Sequence, residues 1–249
     1  MTSSVVLRLL KQWGLGMVGA MALIGTAACD QGAPPAPVHS SSEPVPSAHP
    51  ASADPRPRII AFGDSLTAGL GVPPEQTYPS QLQRELDSRG YGYEVLNAGV
   101  SGETSAGGLR RVGWVLAGKP ALVILELGGN DGLRGLSLRE TRTHLNEIIR
   151  KFKDAKVPVL LAGMKLPPNY GEDYTSHFER MYQELALAHG IPFIPFFLEG
   201  VGGVKDLNQA DGIHPTGKGY RIIAGNVLKS LLPILEILQG ESLGHNKKA

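Results

Sequence analysis

Disulfide chemistry, charge of one sign and phosphate-cradling loops are all missing from this chain, and each absence narrows what it can be. Its 249 residues include one cysteine, Cys29, which has no internal partner, so no disulfide staples the fold. Lys and Arg number 24 against 23 Asp and Glu, a net charge of +1 with the two signs interspersed. With no basic run and no Cys/His cluster, neither nucleic-acid binding nor a structural zinc site is indicated. The chain holds no Gly-x-x-x-x-Gly-Lys-Ser/Thr and no well-placed Gly-x-Gly-x-x-Gly, which argues against a nucleotide-binding domain. It also lacks a Gly-x-Ser-x-Gly elbow, so nothing supports the mechanism built on that turn. No repeat appears within the domain.

What is present begins with a first quarter that does not read as a folded domain. Residues 1–28 carry Arg8 and Lys11, then a largely apolar run that ends in Thr26-Ala27-Ala28. A basic start, a short apolar stretch and small residues at the exit describe a secretory signal peptide, too short and glycine-rich for a comfortable membrane span. Cys29 follows directly, as in a bacterial lipobox, whose cysteine is lipidated and becomes the mature N-terminus. The aliphatic residue usual three positions before that cysteine is here Thr26, and ordinary cleavage would instead leave a soluble protein. Asp30 resembles an inner-membrane retention signal of some Gram-negative bacteria, so the expected location is periplasmic, anchored by lipid to a membrane. Residues 29–57 are dominated by Pro, Ala and Ser and bury too little to offset their ordering entropy, which makes them a tether. Residues 58–238 then fit one domain with a full core, and 239–249 form a polar tail.

Within that domain five short apolar runs, at 58–63, 93–98, 122–127, 157–163 and 192–196, alternate with helical spacing at 78–89, 104–116, 138–153 and 174–189. A last helix is predicted over about 215–232. Leu145, Ile148, Ile149 and Phe152 form an i, i+3, i+4, i+7 stripe, and Gly90 and Gly190 each follow a helical segment as stops. Alternation at these lengths implies an α/β fold, a parallel sheet covered on both faces. Functional loops are then expected after the strands, at Ser65, 99–102, 128–131 and 163–170.

The chemistry-bearing residues fall in those places. The first strand ends in Gly63-Asp64-Ser65-Leu66. A serine there either caps the helix that follows or acts as a nucleophile, and the second role needs a base to take its proton. His214, in Asp211-Gly212-Ile213-His214-Pro215, sits in a loop with a carboxylate three residues earlier. Asp211 at that spacing can hold the imidazole in one tautomer while its other nitrogen faces a hydroxyl. His144, His177 and His189 lie on helical segments, where a solvated or packed histidine is the ordinary account. Attack on a carbonyl also needs donors for the developing oxyanion. Asn130 in Leu127-Gly128-Gly129-Asn130-Asp131 offers a side-chain amide, Gly102 an unobstructed backbone N–H, and Ser65 its own N–H.

These four blocks, in this order, resemble the Ser-Gly-Asn-His hydrolases, the GDSL esterase and lipase family, over residues 58–232. Leu-Gly-Gly-Asn-Asp-Gly-Leu-Arg-Gly at 127–135 and Leu-Pro-Pro-Asn-Tyr-Gly at 166–171 are similar to the bacterial thioesterase I, lysophospholipase and arylesterase group. The resemblance implies a three-layer α/β/α flavodoxin-like fold with a five-stranded parallel sheet. It implies nucleophile Ser65, base His214, orienter Asp211, and oxyanion donors Ser65, Gly102 and Asn130, with no cofactor and no metal. The implied activity is hydrolysis of small carboxylic esters or thioesters through a serine acyl-enzyme. Leu133, Leu136, Leu166 and Tyr170 are candidate walls for the acyl group. A non-catalytic, envelope-anchored binding lipoprotein of the same fold is the alternative, one that loss of Ser65, Asn130 or His214 would have favoured. The physiological substrate and the oligomeric state are not legible in the sequence.

Overall fold

A computed structural model describes residues 56–246, with side chains described as far as residue 240. The expected signal peptide (1–28), the lipidation candidate Cys29, the tether as far as residue 55 and the last three residues of the tail lie outside the described residues. The strands are β1 (Arg58–Gly63), β2 (Glu94–Gly99), β3 (Pro120–Glu126), β4 (Val159–Ala162) and β5 (Phe193–Ile194). The helices are α1 (Ser65–Ala68), α2 (Tyr78–Ser88), α3 (Ser105–Ala117), α4 (Gly129–Leu133), α5 (Leu138–Asp154), α6 (Glu172–His189) and α7 (Gly217–Asn246).

The strands form one parallel sheet in the order β2-β1-β3-β4-β5. Ile59 to Phe62, Leu122 to Leu125 and Leu160 to Ala162 are fully buried, as unbroken apolar runs must be when helices cover both faces. On one face α2 packs with α7; on the other α3, α5 and α6 lie side by side. The architecture is therefore the three-layer α/β/α sandwich with flavodoxin-like strand order. The α5 stripe behaves as its spacing demands: Leu145, Ile148, Ile149 and Phe152 are all fully buried, and Phe152 meets Phe62 of β1 edge-on at 6.0 Å between ring centres. Burying four such side chains contributes roughly 1.5–3 kcal/mol each, which far exceeds the intrinsic helix preference of the segment. Ser137 caps this helix by accepting from the Glu140 N–H, and Lys151 and Lys153 sit in its last turn, where cations complement the helix dipole.

Three elements depart from the sequence expectation. Strand β5 shrinks to two residues because Pro192 and Pro195 flank it and cannot donate to a ladder. Helix α4 occupies what reads as a loop, since 128–135 holds four glycines and glycine is a poor helix former. The last helix starts at Gly217 and runs through Pro233 to Asn246 instead of stopping near residue 232. Proline removes one helical hydrogen bond, but Leu231, Ile234 and Leu235 on either side remain buried and carry the apolar stripe onward. Residues 217–240 are long and apolar enough to cross a membrane by length and composition, yet Tyr220, Ile223, Val227, Leu231 and Leu235 lie in the core.

The strand order fixes where a site can form. From β1 the chain moves outward to β2, then returns across β1 to β3, so successive connections diverge between β1 and β3. Beyond the carboxyl ends of such strands a crevice opens. Ser65 follows β1, Gly102 follows β2 and Asn130 follows β3.

Candidate active site

Gly63 ends β1 with no room for a side chain: a Cβ there would meet Thr67 Oγ1 at 2.1 Å and Glu126 Oε2 at 2.6 Å. The chain turns at once into α1, whose N-cap is Asp64; its Oδ1 accepts from the Leu66 N–H at 3.0 Å. Capping therefore belongs to Asp64, which frees the Ser65 hydroxyl. As the first helical residue, Ser65 presents an N–H without an acceptor inside the helix.

Ser65 Oγ lies 2.9 Å from His214 Nε2, and His214 Nδ1 lies 2.7 Å from Asp211 Oδ2. An ionised carboxylate only accepts, so Nδ1 carries the imidazole proton and Nε2 is left to accept from the serine hydroxyl. Asp211 Oδ1 also accepts from the backbone N–H groups of Ile213 and His214, at 2.9 and 3.0 Å. These bonds, led by the His214 N–H, hold the Asp211 carboxyl down at about 2, so it stays ionised throughout the neutral range. The histidine loop is itself tied down. Gln209 N–H donates to the His214 carbonyl at 2.7 Å, and Gln209 Nε2 donates to the Leu70 carbonyl just beyond α1.

Asn130, in the first turn of α4, sits between the two neighbouring loops. Its Nδ2 donates to Asp64 Oδ2 and to the Glu103 carbonyl, each at 3.0 Å. Gly102 occupies an exposed turn with φ 77°, a conformation side chains disfavour. That turn is braced from two sides: Arg134 Nη2 donates to the Gly102 carbonyl at 2.9 Å, and Glu103 forms a nearly buried ion pair with Arg111 at 2.5 Å. Arg111 donates onward to the Gly63 carbonyl and lies 4.3 Å over the Phe62 ring. Ser65, Gly102, Asn130, Asp211 and His214 are thus brought to one crevice.

The candidate acyl walls gather on the β3–β4 side of the crevice. The Tyr170 hydroxyl donates to the Leu133 carbonyl at 2.9 Å, and Leu166 lies against Gly132 in the same helix as Leu133. Leu133, Leu166 and Tyr170 are half-buried, whereas Leu136 is exposed at the outer rim, where Tyr174 holds its carbonyl.

Several residues that shape the site are not singled out by sequence reasoning: Arg111, Glu103, Arg134 and Glu126. Glu126 carries the clearest available signal, an acid interrupting an apolar strand. A second Ser–His–Asp grouping also appears. Ser105 Oγ donates to Asp131 Oδ1 at 2.5 Å and lies 3.1 Å from His144 Nδ1. Here the carboxylate holds the serine instead of the histidine, and Ser105 is fully buried, so this grouping ties α3 to α4 and offers no reachable hydroxyl.

The sequence matches the GDSL-like Lipase/Acylhydrolase family over residues 61–222, the span that contains every group just described. The chain belongs to this family. It is 46% identical to the esterase TesA of Pseudomonas aeruginosa over 71% of this chain and 89% of that protein. It is 37% identical to the thioesterase 1/protease 1/lysophospholipase L1 of Escherichia coli (strain K12), over 71% of this chain and 84% of that one. Among solved structures, the psychrotrophic esterase EstA from Pseudoalteromonas sp., inhibited by monoethylphosphonate, superposes with a TM-score of 0.69 at 32% identity, covering 72% of this chain and 98% of that one. The protein is a carboxylic-ester hydrolase, and the alternative of a non-catalytic binding protein finds no support.

Proposed function

We propose that this hydrolase cleaves acyl esters and thioesters through a covalent acyl-enzyme on Ser65. The observation that carries the proposal is the unbroken chain Ser65 Oγ–His214 Nε2, His214 Nδ1–Asp211 Oδ2, at 2.9 and 2.7 Å. In this reading Oγ forms a bond to the acyl carbon as Nε2 takes its proton, and Asp211 stabilises the imidazolium. The imidazolium returns that proton to the departing alcohol or thiol, and water repeats the sequence to release the acid. The oxyanion is met by the N–H groups of Ser65 and Gly102 and by Asn130 Nδ2. Inhibition of EstA by a phosphonate supports the reading, since such reagents esterify activated hydroxyls. Release of p-nitrophenol from its acetate and butyrate esters by purified protein tests it; no release above the buffer rate would defeat it.

Asn130→Ala is expected to lower kcat by about a hundred- to a thousandfold with KM little changed, because its amide meets charge that exists only in the transition state. Should KM rise while kcat holds, Asn130 binds substrate in the ground state instead.

Short to medium acyl chains on soluble esters are the substrates we propose. Leu133, Leu166 and Tyr170 form half-buried walls of limited extent, with Leu136 at the rim. Each buried methylene is expected to add somewhat under ~1 kcal/mol to transition-state binding until the walls end. A kcat/KM series over p-nitrophenyl esters is expected to rise and then level or fall. A continued rise through long, water-insoluble chains would contradict this.

The composition of residues 1–57 supports export and attachment by a lipidated Cys29 at the periplasmic face of a membrane. Fractionation of wild type is expected to place the protein with membranes and Cys29→Ser in the soluble fraction. Equal distribution of the two would remove the anchor and leave the chemistry unaffected.

A further inference from the structure

Glu126 is the last residue of β3, fully buried, and the catalytic steps above make no use of it. Its Oε2 accepts from Thr67 Oγ1 of α1 at 2.8 Å and from the Asp64 N–H at 3.4 Å. Asp64 in turn spends both its oxygens on the site: Oδ1 on the N–H of Leu66 behind the serine, Oδ2 on Asn130 Nδ2.

We propose that Glu126 is a positioning residue of the oxyanion hole: its buried Oε2 grips the Asp64 N–H and the Thr67 hydroxyl, which holds the Asp64 carboxyl where it fixes Asn130. The proposal rests on the esterase reading given above and extends it one residue inward.

Burial also governs the charge of this group. Desolvation, helped by the Asp64 charge, drives Glu126 well above the ordinary carboxylate range. Desolvation also raises Asp64, to about 6, but the Leu66 N–H, Asn130, Glu126 and the more distant His214 all favour its ionised form. The other titratable groups around Glu126 are the phenols of Tyr78 on α2, Tyr182 on α6 and Tyr220 on α7. None of these is a cation, and Glu126 Oε1 and the Tyr78 and Tyr220 hydroxyls have no partner among the described residues. This environment tolerates a carboxylic acid and penalises a carboxylate.

The consequence for catalysis follows from the two hydrogens of Asn130 Nδ2. In the resting site one goes to Asp64 and the other to the Glu103 carbonyl. An oxyanion arriving at Nδ2 competes for the second hydrogen, and the bond to Asp64 then keeps the amide in place. Without Glu126 the Asp64 N–H and the Thr67 hydroxyl lose their shared acceptor and the amide its fixed anchor, and a displacement of about 1 Å at such a group costs on the order of a hundredfold in rate.

Glutamine is a neutral isostere whose carbonyl can accept from both the Thr67 hydroxyl and the Asp64 N–H, as Oε2 does here. Initial rates on p-nitrophenyl butyrate are therefore measured for wild type, Glu126→Gln, Glu126→Ala, Asn130→Ala and the double variant Glu126→Ala/Asn130→Ala. Glu126→Gln is expected to keep kcat within about threefold, and Glu126→Ala to lose about ten- to a hundredfold in kcat at constant KM. In the Asn130→Ala background Glu126→Ala is expected to cost less than about threefold more, because it acts through the amide already removed. Full additivity in the double variant would overturn the proposal, as would wild-type kcat in Glu126→Ala. If Glu126→Ala does not fold, Glu126→Gln decides: a loss as large as that of Asn130→Ala means the residue works as an anion and the proposal fails. Failure of the esterase reading is a separate result, seen as hydrolysis that survives Ser65→Ala.

Discussion

Replacing Ser65 by alanine is expected to remove ester hydrolysis by on the order of a millionfold in kcat and to leave the domain folded. The magnitude follows from the proposed mechanism, in which the three residues act as a unit. With no Oγ there is no bond to the acyl carbon, and His214 and Asp211 have nothing to activate; only the oxyanion donors and substrate binding remain. The fold is spared because Ser65 contributes little to it. Asp64, and not Ser65, caps α1, and the Ser65 side chain makes its bond to His214 across the crevice. Alanine is moreover the better helix former. Tm is expected to shift by no more than about 4 °C, since the change removes one hydroxyl and its single bond to His214 and touches no cap. Steady-state rates on p-nitrophenyl butyrate and a thermal melt check both halves. Turnover comparable to wild type would remove Ser65 from the reaction.

His214→Ala is expected to be nearly as damaging, again on the order of a millionfold in kcat, because the serine hydroxyl keeps its proton at neutral pH once its base is gone. The loop that carries His214 should survive. Asp211 Oδ1 still accepts from the N–H groups of residues 213 and 214, and Gln209 still bonds to the backbone carbonyl at 214 and to that of Leu70. A variant with unchanged circular dichroism and negligible kcat is the expected result. If hydrolysis persisted within about tenfold of wild type, the base would have to be another group.

The order of strands and helices was readable because the central strands are unbroken apolar runs and α5 keeps its stripe in register over its length. Each of the four sequence blocks lies at a strand's carboxyl end or, for His214, in the loop before α7, which is why their placement marked them as candidates, while the family resemblance supplied their roles. Ends and exceptions were less legible. Prolines shorten β5 from outside, four glycines disguise α4, and Pro233 is overruled by the buried Leu231, Ile234 and Leu235.

The supporting residues were hidden for a different reason. Arg111 and Glu103 are eight residues apart, one on α3 and the other in the turn before it, and their pairing under Gly63 exists only once β1 runs alongside. Glu126 breaks an apolar pattern, but only the packed structure shows that Thr67 and Asp64 meet it there. Ser105, His144 and Asp131 illustrate the opposite hazard. They are the residue types of a triad within reach of one another, and only burial and the order of contacts distinguish them from the site at Ser65.

That contrast defines the most direct test of the central claim, that Ser65 is the activated nucleophile. Purified protein is treated with a fluorophosphonate and the modified peptide is located by mass spectrometry. The expected result is one adduct per chain, on Ser65, lost in Ser65→Ala and strongly slowed in His214→Ala. An adduct on Ser105 or any other residue, or none at all on a protein that hydrolyses p-nitrophenyl esters, would contradict the account.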